Sequence, residues 1–245
     1  MYNDSMPVSS YEIRICSSCG LRYPLVVGHP FGTRCPACMG ETRAVLSREL
    51  GAEPGPTHSA DRDTVARPDK RRSTSKLHPV VGSEEENEGG LAILLDNIRS
   101  AWNVGSVLRS ADGFGFRHAF LCGITPTADH EAVTKTALGA EDTVPWSYHK
   151  DAVRLVKGLK AEGWKVFALE DHPRASDLHN ASGLIAPTER GVLIAGNEIT
   201  GVDLGLLELC DHILSIPMRG EKRSFNVAIA FSIAAYAFQI RRTEG

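Results

Sequence analysis

The sequence lacks the features that would indicate secretion, a membrane or a strongly charged partner. Its first residues, MYNDSMPVSSYEIRIC, have no basic start followed by an apolar run, so we expect no secretory signal. The longest apolar stretch, residues 227–240, is too short for a membrane span and suits a buried helix. The net charge is only −3, so any binding of nucleic acid would have to come from local patches. We therefore expect a globular cytoplasmic chain without a membrane partner.

Standard nucleotide-binding loops are also absent. The chain has no G-x-G-x-x-G between a strand and a helix, and no G-x-x-x-x-G-K-S/T. A nucleotide-like cofactor would therefore have to bind through the backbone of irregular loops.

Four of the six cysteines form two closely spaced pairs, Cys16 and Cys19 in CSSC and Cys35 and Cys38 in CPAC. Two such pairs on short hairpins can place four thiolates around one zinc ion. A site with four thiolates has no open coordination position, so the zinc would be structural. The alternative is a pair of disulfides, which a cytoplasmic setting disfavours. We expect the other two cysteines to be ordinary buried thiols.

Composition divides the chain into three parts. Residues 1–50 form the cysteine module, which is too small to fold without its metal. Residues 51–90 have no aromatic residue and many Pro, Gly, Ser and charged positions, so we predict a disordered linker. Residues 91–245 form the main domain.

The cysteine module carries residues suited to nucleic acid, arginines for phosphates and two aromatic rings for stacking. They are Arg14, Arg22, Arg34, Arg43, Arg48, Tyr23 and Phe31. The alternative is a small ribbon that docks onto protein.

Apolar strand-like runs alternate with helical patterns from residue 91 onward. Strands are predicted at 91–96, 118–122, 164–169, 191–195 and 212–216, and helices at 103–113, 129–138, 150–162, 203–209 and 224–241. This alternation predicts an α/β fold with a largely parallel sheet covered by helices on both faces. Ligands collect at the carboxyl ends of strands in such sheets.

The loop and helix after the first predicted strand carry an isolated arginine. Val104, Val107, Leu108 and Ala111 make the apolar stripe of the helix, and Arg109 points away from it, beyond a bare backbone patch at Gly105. One interpretation is a solvated surface pair of Arg109 with Asp112. The other is an arginine that points into a groove.

Two further loops follow predicted strands. In AGNEITG, Gly196 and Gly201 flank Glu198 in a tight turn that would hold a carboxylate above the sheet. In SIPMRGEKRSFNVAIA, Ser224 could cap a long helix that has Asn226 in its first turn. Capping alone would explain Ser224.

Together and in this order, the three loops closely resemble the SpoU family of ribose 2'-O RNA methyltransferases, within the SPOUT superfamily. The first motif is matched by Asn103, Gly105 and Arg109, and the second by Gly196, Glu198 and Gly201. The third is matched by Ile216, Pro217, Met218, Gly220, Ser224, Asn226 and Val227. The resemblance covers residues 91–242, and Phe225 stands where the family usually has Leu.

The resemblance implies a C-terminal trefoil knot, bound S-adenosylmethionine, and a homodimer whose site takes residues from both subunits. The implied cofactor contacts are Ala168, Leu169, Glu170, Gly196, Ile216, Met218, Phe225 and Asn226. The implied catalytic residues are Arg109, Asn103, Glu198, Ser224 and Asn226.

The activity that the resemblance implies is methylation of a ribose 2'-hydroxyl in structured RNA, either tRNA or rRNA, with no DNA substrate. Two alternatives stay open. The chain could be a non-catalytic RNA-binding or assembly factor on the same fold, or it could methylate an RNA base.

Overall fold

The computed structural model describes residues 10–29, 32–49, 89–181 and 183–239, which fall into two separately packed units. The predicted linker lies outside the described residues apart from residues 89 and 90, as do Phe31 and the end of the last predicted helix beyond residue 239. None of the helices in the described part of the chain has the length and apolar character needed to cross a bilayer.

The smaller unit is a three-stranded antiparallel sheet, which we call the ribbon. Its strands are β1 (Ser10–Cys16), β2 (Arg22–Val26) and β3 (Thr42–Glu49), in the order β2-β1-β3. The first cysteine pair lies in the turn between β1 and β2, where Gly20 adopts a left-handed φ of 75°. The ribbon thus supplies the short β hairpin that the zinc hypothesis requires.

The larger unit contains a seven-stranded sheet in which all recorded strand pairs are parallel, in the order β6-β5-β4-β9-β7-β10-β8. Its strands are β4 (Gly90–Asp96), β5 (His118–Cys122), β6 (Trp146–His149), β7 (Lys165–Leu169), β8 (Ser176–Asp177), β9 (Arg190–Ala195) and β10 (His212–Ser215). The central strands are almost continuously apolar, as expected for a sheet that is buried on both faces.

Helices cover both faces of this sheet. They are α1 (Ala101–Gly113), α2 (Glu131–Ala137), α3 (Ala140–Thr143), α4 (Ala152–Ala161), α5 (Leu204–Leu207) and α6 (Val227–Gln239). Helices α1, α2, α3 and α6 pack on one face, and α4 and α5 on the other. The predicted α/β class and parallel sheet are confirmed, whereas the knot stays a prediction.

The five predicted strands are all present, with boundaries within one residue of those expected. The sequence interpretation missed the edge strands β6 and β8 and the short helix α3. Strand β6 reads WSYH, and its single buried side chain is Ser147, so it has no apolar run to reveal it. The last helix begins at Val227, three residues later than predicted.

The packing of α1 on α2 explains Gly105. A Cβ atom at this position would lie far inside contact distance of Thr136 Oγ1 and the carbonyl oxygen of Val133, both on α2. The interpretation of Gly105 as bare backbone beyond Arg109 is therefore wrong, because α2 covers this patch. A glycine is required here so that the two helices can approach each other.

We predict that Gly105→Ala lowers the free energy of unfolding of the larger unit. Overpacking costs about 1–3 kcal/mol, and the gain in helix propensity offsets only about 1 kcal/mol of it. Urea unfolding followed by tryptophan fluorescence measures this, because Trp102, Trp146 and Trp164 all lie in the larger unit.

Gly158→Ala in α4 is the matched control. A Cβ atom there meets nothing within 4 Å, so this variant should gain about 0.5–1 kcal/mol. Equal stability of the two variants would contradict the packing argument.

Candidate functional site

The three loops singled out in the sequence follow β4, β9 and β10. Strands β4 and β9 are hydrogen-bonded neighbours, and β7 lies between β9 and β10. Because the strands are parallel, their carboxyl ends all lie at one edge of the sheet. The strand order therefore brings the loops after β4, β9, β7 and β10 to adjacent positions.

The carboxylate of Glu198 joins the loop after β9 to the start of α1. It accepts hydrogen bonds from the backbone N–H groups of Arg99 (2.9 Å) and Ser100 (3.0 Å), and from Asn103 Nδ2 (3.0 Å). The N-terminus of a helix carries unpaired N–H groups and a partial positive charge, which a carboxylate stabilises. The first two sequence motifs therefore meet at Glu198.

Asn226 connects the third motif to the first. Its Nδ2 donates to Asn103 Oδ1 (3.0 Å), and its Oδ1 accepts from the backbone N–H of Ala228 (2.9 Å). Asn226 therefore caps α6, and the prediction that Ser224 caps this helix is wrong. We call Glu198, Asn103 and Asn226 the relay, since their side chains form one continuous hydrogen-bonded chain.

Two buried asparagines, which the sequence interpretation missed, connect the loops that carry the relay. Asn97 Oδ1 accepts from Ile124 N–H (3.1 Å), and the Asn97 carbonyl accepts from Asn197 Nδ2 (2.7 Å). Asn197 Oδ1 in turn accepts from the N–H groups of Ile199 (2.9 Å) and Thr200 (3.1 Å). The available signal was an asparagine at the end of each apolar strand, in LLDN and IAGN.

The turn around Glu198 is as tight as its glycines predicted. Asn197 and Gly201 exchange backbone hydrogen bonds, and Gly201 has a φ of 70°. Glu170 closes the turn from the neighbouring β7 loop, because its carboxylate accepts from Val202 N–H at 2.8 Å. A Cβ atom on Gly201 would lie 2.6 Å from Glu170 Oε2, so the glycine is needed for this contact.

Arg109 is exposed on α1 and lies outside the relay. No described residue forms a hydrogen bond or ion pair with its guanidinium. The alternative of a surface pair with Asp112 is wrong, because no ion pair joins these two described side chains, and the Asp112 carboxylate instead accepts from Thr143 Oγ1 at 2.7 Å. Ser224 is likewise exposed and forms no hydrogen bond with a described residue. The relay therefore brings together three of the five expected catalytic residues.

The expected cofactor contacts lie at the end of β7 and on the loops after β7, β9 and β10. Ala168 is fully buried in the core. Of the three expected contacts near the end of β7, only Leu169 and Glu170, which are half-buried, are accessible to a ligand. Ile216 and Met218 are half-buried after β10, and Phe225 is exposed beside Asn226.

The four paired cysteines form one cluster in the ribbon. Their sulfur atoms lie within 4.8 Å of one another, with Cys16 and Cys38 at 3.5 Å and Cys19 and Cys35 at 3.7 Å. Disulfide bonds are about 2.05 Å long, so these thiols are not bridged. Around tetrahedral zinc with bonds of about 2.3 Å, sulfur atoms lie roughly 3.8 Å apart, so the cluster fits the ion.

The thiols of this cluster differ in acidity. Burial opposes ionisation of Cys16, but backbone N–H groups of Cys19 and Ser18 point to its sulfur and lower its pKa to about 6. Burial raises the pKa of Cys19 to about 12. Outside the cluster, burial raises the pKa of Cys122 and Cys210, as expected for ordinary thiols.

The structure corrects two of the residues expected to bind RNA in the ribbon. Arg14 is 7% exposed, and its guanidinium donates to Glu12 and to the hydroxyl and carbonyl oxygens of Thr42. Tyr23 is 3% exposed, and its hydroxyl donates to the carbonyl of Arg34. Both side chains support the ribbon from inside and are unavailable to RNA.

Known proteins resemble the larger unit. The sequence profile of the SpoU rRNA Methylase family matches residues 90–236. The chain is 33% identical over 146 residues to the 23S rRNA guanosine 2'-O-methyltransferase RlmP of Bacillus subtilis, covering 59% of this chain and 56% of that protein. It is 30% identical over 158 residues to the 23S rRNA guanosine 2'-O-methyltransferase RlmB of Coxiella burnetii, covering 62% of this chain and 59% of that protein. The chain thus matches less than two thirds of the length of these relatives.

Two solved structures share the fold. One is the SpoU methyltransferase AviRb from Streptomyces viridochromogenes with AdoMet (TM-score 0.58, 23% identity, 66% of each chain). The other is an AdoMet-bound rRNA methyltransferase from Sinorhizobium meliloti (TM-score 0.57, 24% identity, 62% of this chain and 57% of that one). The profile match covers more than half of the sequence and includes all three motifs. The chain belongs to the SpoU rRNA methylase family.

Proposed function

We propose that this chain transfers a methyl group from S-adenosylmethionine to a ribose 2'-hydroxyl in structured RNA, either rRNA or tRNA. The observation that carries the proposal is the relay, in which Glu198, Asn103 and Asn226 come from three separate segments of the chain and form one hydrogen-bonded chain. The names of the relatives, 23S rRNA guanosine 2'-O-methyltransferases, support this choice of reaction and favour rRNA.

S-adenosylmethionine, when bound, supplies a methyl group on a positively charged sulfur. The residues that would hold it are Leu169, Glu170, Gly196, Ile216, Met218, Phe225 and Asn226, with Ala168 supporting them from the core. They suit it because they lie at adjacent strand ends, where half-buried apolar side chains stand beside backbone and amide groups. Glu170 would act by fixing the turn that contains Gly201.

Arg109 would contact the RNA. A guanidinium stays protonated in proteins, so it is unsuited to remove the proton of the hydroxyl. We infer that Arg109 orients the hydroxyl, binds an adjacent phosphate, and stabilises the negative charge that develops on the attacking oxygen. The guanidinium is exposed and has no partner among the described residues, so its N–H donors are available to bind RNA. Ser224 stands free for a similar contact with substrate.

A homodimer would complete this site. Three exposed apolar side chains, Trp102, Ile199 and Phe225, directly adjoin the relay residues in sequence. Ile229 and Tyr236 extend the apolar surface along the exposed face of α6 and are 54% and 57% exposed. A second copy would cover this surface and could bring its own residues to the relay.

A structural zinc ion would hold the ribbon together. Cys16, Cys19, Cys35 and Cys38 would be its four ligands, a set that leaves no position for a reacting group. These ligands must be unoxidised thiolates, which is our reason to expect the chain in the cytoplasm.

The first prediction from the proposed function concerns Arg109. Arg109→Ala should reduce methyl transfer at least a hundredfold, while S-adenosylmethionine binding, measured by calorimetry, stays within about twofold. Arg109→Lys should also be strongly impaired, because a point charge cannot reproduce the planar fork of the guanidinium. Retained turnover in Arg109→Ala would remove this residue from the mechanism.

The same assay tests the reaction itself. RNA labelled with S-adenosyl[methyl-³H]methionine is hydrolysed with alkali, which cannot cleave beside a methylated ribose. The label should appear in alkali-resistant dinucleotides. Label in mononucleotides would indicate base methylation, and binding of S-adenosylmethionine without transfer would indicate a non-catalytic factor.

The second prediction concerns zinc. The purified chain should contain one zinc ion per polypeptide by elemental analysis. Cys19→Ser should lose the ion, because three thiolates no longer complete the tetrahedron. Cys210→Ser, which changes a thiol outside the cluster, should retain it. A full zinc content in Cys19→Ser would exclude the proposed ligand set.

The third prediction concerns the dimer. Ile229→Lys should raise the dimer dissociation constant about thirtyfold, or ~2 kcal/mol, because it places a charge in the apolar surface. Analytical ultracentrifugation measures the change. Val27→Lys, at an equally exposed apolar position in the ribbon, is the control and should leave the dimer intact. A monomeric wild-type chain would refute the proposal.

A further inference from the structure

We propose that one face of the ribbon, the face that carries Arg43 and Arg48, binds phosphates of the RNA substrate. We call it the arginine face. This inference rests on the proposed function, since it takes RNA to be the substrate. It assigns a second RNA contact outside the SpoU domain and selects two of the seven ribbon residues that the sequence offered.

The strand register places both arginines on the same face. Arg48 lies opposite Tyr11, and Arg43 lies opposite Ile15. Tyr11 and Ile15 are four residues apart on β1, so they point to the same side of the sheet. The two arginines are five residues apart on β3, a spacing that in a regular strand would place them on opposite sides. The register between β3 and β1 shifts at Ile13 and Arg14, and this shift brings both arginines to the same side. Without this shift, one arginine would point to the opposite side.

The register also separates opposite charges. Glu49 follows Arg48 on β3 and pairs with Ser10, so it points to the other side. Glu12 points to that side as well and forms an ion pair with the buried Arg14. Glu41 lies two positions before Arg43, which places it on the arginine side, but it forms no ion pair with a described residue. The two arginines outnumber this carboxylate, so the arginine face keeps a net positive charge, whereas on the other face Glu12 neutralises Arg14.

Arg43 and Arg48 are available for binding. Both are exposed, and no described residue forms a hydrogen bond or ion pair with either guanidinium. Arg22 lies on the same face, opposite Ile15 on β2, but it is half-buried and already interacts with another residue. The proposal therefore rests on Arg43 and Arg48 alone.

The geometry suits a nucleic-acid backbone. The two arginines lie opposite residues that are four positions apart on β1, which places their Cα atoms about 13 Å apart, so each arginine can contact a different phosphate. Arginine binds phosphate with parallel hydrogen bonds, which makes it the side chain best suited to this contact. An acidic protein partner would satisfy the charge too, but only RNA is brought to this chain by its proposed reaction.

The test uses the full-length chain with Arg43→Gln and Arg48→Gln combined. Binding of a fluorescent RNA stem-loop is measured over a range of salt concentrations. Each phosphate contact contributes about 0.7–0.9 to the slope of log K against log salt concentration. Loss of two contacts should therefore make the slope shallower by about 1.5. An unchanged slope would overturn the proposal.

The control removes two positive charges elsewhere. Arg154→Gln combined with Lys157→Gln changes two exposed residues of α4, on the sheet face opposite α1 and α6. This control should keep the wild-type slope. Zinc content shows that the ribbon is folded in each variant. Glutamine is used because it keeps the first methylene groups of the arginine side chain while removing the charge.

Two further readouts separate the possible failures. Methyl transfer at saturating RNA should be unchanged in the arginine-face variant, because these residues are outside the proposed catalytic site. Normal transfer with an unchanged slope would refute the arginine face alone, whereas absence of transfer in the wild type together with the expected change in slope would refute the proposed function alone. Displacement of the RNA by poly-glutamate as readily as by unlabelled RNA would also overturn the proposal.

Discussion

The position of the Glu198 carboxylate is the constraint on which the geometry of the site depends. This group satisfies two backbone N–H groups before α1 and the side chain of Asn103 in its first turn. A carboxylate at a helix N-terminus contributes roughly 0.3–2 kcal/mol through the helix dipole, and it removes donors that would otherwise lack partners. One side chain therefore fixes the loop after β9 to the helix after β4.

The buried side-chain amides of Asn97 and Asn197 hold the two loops in the positions that this contact requires. Asn197 donates to the Asn97 carbonyl and accepts from two backbone N–H groups in the Glu198 turn. An amide can do both, whereas a carboxylate in its place would face the Asn97 carbonyl without a proton to share. Buried polar groups that are fully paired specify one arrangement, since each broken bond leaves an unsatisfied group. The hydrogen bonds of the two buried asparagines thus fix the loops that position the exposed relay.

The sequence predicted the features that depend on local pattern. Strand β4 follows from its apolar run, and the cysteine cluster follows from two short spacings, because both signals lie within a few residues. Gly105 could not be explained, since its reason is the approach of Thr136 on another helix. Arg14 and Tyr23 looked available for RNA, because only the folded ribbon shows that Thr42 and the Arg34 carbonyl are their partners. Asn226 was placed inside a helix that in fact begins after it.

The exposure of the relay has a consequence for the proposed dimer. Glu198 and Asn226 are exposed, and water competes for hydrogen bonds between exposed groups, so each bond contributes only about 0.5–1.5 kcal/mol. The neighbouring side chains Trp102, Ile199 and Phe225 are apolar and also exposed, and contact between apolar surface and water is unfavourable in free energy. In the proposed dimer, one association would bury these apolar groups and exclude water from the relay. Electrostatic contacts strengthen in such a setting, so dimer formation would itself strengthen the contacts between the loops proposed to hold the cofactor.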